Sequence, residues 1–124
     1  MKARIIEADA SGNVRCLIDG VGIRAAWIGN PQPAVGAEYD VELSVREQLV
    51  WGDNVFTNAN GRIGIEPDGQ GVILHVMLES FDDGVGTLRL GNSIVQVEMT
   101  GMAQLIGKAV SIKVRELGLC DTGI

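Results

Sequence analysis

Polar and apolar residues alternate one for one along several short stretches of this chain, and glycine-rich turns cut each stretch short. Val41, Leu43 and Val45 alternate with Asp40, Glu42, Ser44 and Arg46, and runs 94–99 and 110–114 keep the same beat. Successive side chains on a strand point to opposite faces, so the pattern buries one face and wets the other. A helix over 37–51 would align Val41, Val45 and Leu49, but it would also bury Asp40 or Glu42 beside Val41. Strand is therefore the reading. Asp-Gly and Gly-Asn pairs supply turns because they accept positive φ at little cost. The expectation is an all-β, small, soluble chain, a barrel or sandwich.

Expected strands cover 4–8, 14–18 and 23–28, then 39–45 and 49–56. Pro31 and Pro33 exclude a central strand between these groups, and a helical turn is expected from Asn30-Pro31 to Gly36. Residues 58–61 read as a joint. Beyond it come an edge strand over 61–65, a central strand over 72–79 and strands over 87–90 and 93–99. A helical turn from Thr100 to Gly107 follows, then strands over 109–114 and 117–120. Asp82-Asp83-Gly84 is a turn between two of these strands.

Three strands, a short turn-like segment ending in Gly and further strands thus occur twice. Sliding the chain by 71 residues lays 3–53 over 74–124, with identities at Val14, Leu17, Gly20, Ile23, Gly36 and Gly52. Chance supplies about four, so the repeat rests on the order of elements and not on identity. The plan resembles that of OB-fold and SH3-like barrels, an architectural analogy that carries no function. The expected organisation is two fused barrel-like halves, 1–57 and 58–124, each with a short helical turn, or one compact domain built from both.

Acids outnumber Lys plus Arg by 16 to 10, and each half carries 8 acids against 5 bases. The surplus belongs to the whole folded surface, which repels phosphate and attracts basic partners. No apolar run approaches the roughly twenty residues of a membrane helix, and the N-terminal residues lack a signal-like core. Cys16 and Cys120 are far apart and outside any Cys-x-x-Cys spacing, as expected of reduced cysteines in a cytoplasmic protein.

Few residues promise chemistry. His75 is the sole histidine, with no sequence neighbour to make it a catalytic base or metal ligand, so a structural role is expected. Asp82 and Asp83 fit a turn better than a cation site. Single-stranded nucleic acid needs a cationic groove and several stacking rings, each worth about 1–3 kcal/mol. Five aromatic residues and a net charge of −6 argue against it. No cofactor, metal or membrane partner is expected. Trp27 has two readings. Its own strand, with Ile23 and Ala25 on the same face, puts it in the core, while the 71-residue overlay turns it outward as an interface anchor. Glu38, Asp40 and Glu42 line the outward face of strand 39–45, where adjacent acids repel and a basic partner relieves them.

The functional expectation is a non-catalytic, cytoplasmic protein-binding module. Its class is that of acidic immunity or inhibitor proteins neutralising a basic bacterial toxin, with contacts drawn from Trp27, Glu38, Asp40, Glu42, Asp82 and Asp83. The alternatives are a phage or secretion-system assembly subunit that oligomerises through strand edges, and a small-ligand or metal-binding protein.

Overall fold

The computed structural model describes residues 1–29, 31–58, 60–69, 71–101 and 103–122. Twelve strands appear among them: β1 (Lys2–Ala8), β2 (Asn13–Ile18), β3 (Val21–Ile28), β4 (Glu38–Val45), β5 (Leu49–Val50), β6 (Val55–Thr57), β7 (Gly64–Asp68), β8 (Gly71–Asp82), β9 (Val85–Leu90), β10 (Ser93–Thr100), β11 (Ala109–Val114) and β12 (Leu117–Asp121). The all-β expectation holds, and the long strand β4 replaces the helical alternative. Buried and exposed residues alternate along β2 and β10, while buried residues alternate with half-buried ones along the first two-thirds of β8, as a central strand requires.

The strands form two sheets. β1-β2-β3-β12-β4 close into a barrel, and β5-β10-β9-β8-β11-β6 form a second, nearly closed sheet, with β7 also on β8. β12 runs parallel to β3 and antiparallel to β4. In the second sheet β5 runs parallel to β10 and β6 antiparallel to β11. Because β5 and β6 are consecutive in the chain, segment 49–57 fills in the second sheet the place that β12 fills in the first. Both rings then read first, second, third, fifth, fourth, the Greek-key plan of small OB-type barrels.

The sheets do not coincide with the sequence halves. β12, from residues 58–124, closes the barrel built by β1 to β4; β5 and β6, from residues 1–57, complete the sheet built by β8 to β11. The halves 1–57 and 58–124 therefore exchange their last strands. Neither excised half retains the segment that fills its own ring.

Two local expectations change. Residues 31–37 contain one bend and a turn but no helix, and Asn30 lies outside the described residues. Pro33 drives the residue before it away from helical dihedrals. The backbone there finds other partners: Gly36 N donates to the Ile5 carbonyl at 2.7 Å and Ala34 N to Tyr39 Oη at 2.8 Å. The second half keeps a shorter piece, a 3-10 turn at Ala103–Leu105. The expected strand 49–56 is split at 51–54. There the Asn54 side chain accepts from Val50 N at 2.8 Å and donates to the Gln48 carbonyl at 3.1 Å, taking groups a strand partner would otherwise hold.

Ile5, Ile18, Val41, Leu117 and Leu119 fill the first barrel, and Leu74, Leu78, Leu88 and Ile112 the second; all are fully or almost fully buried. The two packed layers meet where β4 touches β10 and β3 touches β7 and β8. Among the described residues no helix is long and apolar enough to cross a membrane.

Candidate functional site

Each hairpin positions a small set of polar groups. The β8–β9 hairpin turns on two residues, Asp83 at φ 53° and Gly84 at φ 78°, with Asp82 opposite Val85. Positive φ at both central positions marks a type I′ turn, whose twist matches the flanking strands and which selects Asp-Gly. This is the turn expected of Asp82-Asp83-Gly84. Val85 also lies opposite Glu98 on β10. Directly opposed residues of an antiparallel pair share a face, with Cβ atoms about 5 Å apart. Asp82, Val85 and Glu98 therefore form one row across three strands, with Asp83 at the tip. Val85 is 37% exposed, and among the described residues no cation pairs with Asp82, Asp83 or Glu98.

Two of the three acids in the other group, Glu38 and Asp40, are paired. Lys2 faces Asp40 and Arg4 faces Glu38 in the β1–β4 register, with ion pairs of 3.2 and 3.8 Å. These pairs ease the repulsion at Asp40 and Glu38 within the molecule, and Glu42 has no ion pair among the described residues. Glu42 is exposed and lies opposite Cys120. Nothing brings Glu38, Asp40 and Glu42 together with Asp82 and Asp83, which lie in the other sheet.

Trp27 is 8% exposed. Its Nε1 donates to the Pro31 carbonyl at 3.2 Å, and its ring meets Tyr39 edge-on at 5.0 Å between centroids. Of its two readings, the core one describes this environment. The outward reading depended on overlaying β3 onto β10 at an offset of 71; β3 begins at Val21 and β10 at Ser93, so the two strands start one residue out of that register. A one-residue slip reverses every face.

His75 is not without partners. Its Nδ1 lies 2.7 Å from Ser111 Oγ and its Nε2 3.2 Å from Glu66 Oε1. The ladder makes this contact, with β8 between β7 and β11 and Ser111 directly opposite His75. An ionised carboxylate only accepts, so Nε2 donates to Glu66; in the neutral imidazole Nδ1 is then the acceptor for the Ser111 hydroxyl. Serine, base and orienting acid are the elements of nucleophilic catalysis. The surroundings differ from those of a hydrolase. Ser111 sits mid-strand between β6 and β8, where ladder bonds occupy the amides an oxyanion pocket requires. Neither the 380 Å³ groove nor the 560 Å³ groove is lined by Ser111 or His75.

Among the described residues no three His, Cys, Asp or Glu are placed to hold a metal ion. Cys16 and Cys120 are free thiols; burial in the apolar core pushes Cys16 up to about 11, which holds it as an unreactive thiol at neutral pH. Ser111 and Glu66 beside His75, and Glu98 and Val85 beside Asp82, were invisible to sequence reasoning. Only strand register joins them, and the signal that finds them is the pairing of 72–77 with 109–114 and of 85–90 with 93–98. No family model matches the chain, and no curated protein or solved structure matches it.

Proposed function

We propose that this protein is a non-catalytic binding module that recognises a basic protein surface through the β8–β9 hairpin tip. The observation that carries the reading is the row Asp82, Val85 and Glu98, extended by Asp83: acids with no ion pair among the described residues, around an exposed apolar side chain, on a tight two-residue hairpin. Such a site pairs long-range attraction with a small apolar contact. Complementary charge raises association rates toward roughly 10⁸–10⁹ M⁻¹s⁻¹ at low salt, with steep loss as salt rises. A net charge of −6 favours the same class of partner. Neutralisation of a basic toxin is the biological role of this kind that best fits a small acidic protein. Its setting is the cytoplasm.

The test is capture of basic proteins from the native host, compared with the variant Asp82→Asn, Asp83→Asn, Glu98→Gln. Asn tolerates the positive φ at position 83, so the turn survives neutralisation. The reading expects a captured basic protein whose association slows with salt and with the triple variant. Capture unaffected by both, or no basic protein at all, would contradict it.

The hydrogen-bonded series Ser111, His75 and Glu66 raises a second reading, hydrolysis through a serine nucleophile, against which the laddered amides around Ser111 count. Its test is covalent labelling by a fluorophosphonate. A Ser111 adduct lost in His75→Ala would support it, and unmodified protein under conditions that label a known serine hydrolase would remove it.

A further inference from the structure

The 380 Å³ groove on the outside of the first barrel is lined by three arginines of an otherwise acidic molecule. We propose that this groove binds the phosphate group of a small ligand, gripped by Arg24 and Arg115 with Arg15 beside them. Arg15 lies opposite both Glu7 on β1 and Arg24 on β3, so the three form a row on one face. Directly opposed like charges on a sheet are destabilising unless an anion joins them. Arg15 is held by Glu7 at 3.2 Å, whereas among the described residues Arg24 and Arg115 have no carboxylate at ion-pair distance.

The acids of the groove are less free than their number suggests. The Asp9 carboxylate accepts from Ser11 N at 2.9 Å, Ser11 Oγ at 2.8 Å and Asn13 N at 3.0 Å, so it is spent on the β1–β2 turn. Glu7 is paired with Arg15, which leaves Asp9, turned toward its own loop, and Glu116 as the charged acids beside Arg24 and Arg115. Arg115 is presented by a fixed backbone. Its amide and that of Glu116 donate to Glu47 Oε2 at 2.8 and 3.3 Å. The strand exchange makes the groove composite, with β1 to β3 as its floor and the β11–β12 connection as its wall.

The guanidinium fork matches two phosphate oxygens at once, which an ammonium does not. The volume suits a ligand of mononucleotide size. A long polyanion would meet the surrounding negative surface, so a compact phosphate monoester is the class that fits.

Calorimetry and amide-shift titrations of the full chain with inorganic phosphate, adenosine 5′-monophosphate, adenosine and a dT12 oligonucleotide test this. Saturable binding of the phosphate-bearing small molecules is expected, with adenosine silent. Affinity should fall about tenfold or more in Arg24→Gln and Arg115→Gln, and partly in Arg24→Lys, which keeps the charge and loses the fork. Arg62→Gln, away from the groove, should bind like the parent. Absence of saturable binding up to about 10 mM phosphate or nucleotide, equal affinity in folded Arg24 and Arg115 variants, or tighter binding of dT12 than of the nucleotide would each overturn the proposal.

Discussion

Leu119 tests the exchange of strands better than any other side chain. It is fully buried on β12, between Trp27 on β3 and Leu43 on β4. Truncating a buried leucine to alanine removes transfer energy and leaves a cavity, at about 2.7–5 kcal/mol. Against the roughly 5–15 kcal/mol of a whole domain, that is a large share of stability. At about 3–5 °C per kcal/mol for a chain of this length, Leu119→Ala should lower the melting temperature by on the order of 10–20 °C. The informative assay is urea unfolding on a Trp51→Phe background, followed by Trp27 emission and by circular dichroism together. Although Leu119 lies near the C-terminus, its loss should move the Trp27 transition, because both residues belong to one barrel. Ile94→Ala, at a side chain 48% exposed, is the control and should cost about 1 kcal/mol or less. A Trp27 transition left in place by Leu119→Ala would refute the reasoning, since it would mean that 1–57 folds without β12.

Two further outcomes follow from the packing. A Cβ at Gly71 would overlap the Val114 carbonyl oxygen, which is backbone and cannot turn away, so Gly71→Ala should lower the unfolding free energy measured in urea by on the order of 1–3 kcal/mol or more. The buried Cys16 thiol gives the second. Its folded pKa of about 11 lies above the ordinary 9.0, so the folded state disfavours the thiolate. The related stability is complete below pH 9 and drains away as pH rises toward 11, by at most about 2–3 kcal/mol. Cys16→Val should flatten that part of the pH profile, and an identical alkaline decline in both proteins would contradict the burial argument.

Much of the fold was legible from local pattern. Strict alternation located β4, β10 and β11, and Asp19-Gly20 and Asp83-Gly84 marked the turns, because both signals come from neighbouring residues. Partners of the short strands were not legible. β12 has five residues, and what it pairs with depends on which ring has a gap, a property of the assembled sheets. The same reasoning explains Trp27. Its own strand pattern placed it correctly, and the overlay of halves misled because it ignored a one-residue change of register. His75 looked solitary because Ser111 lies 36 residues away and becomes its neighbour only through the ladder. Asp40 and Glu38 looked unpaired because Lys2 and Arg4 stand opposite them only once β1 is in register.

The direct measurement is an amide and Hα nuclear Overhauser map of the folded chain in solution. Cross-strand signals linking Leu119 to Leu43 and to Trp27, together with signals linking Val110 to Thr57, are the predicted result. Signals that instead join Leu119 to β10 or β11 would place the last strand in its own half and contradict the exchanged architecture.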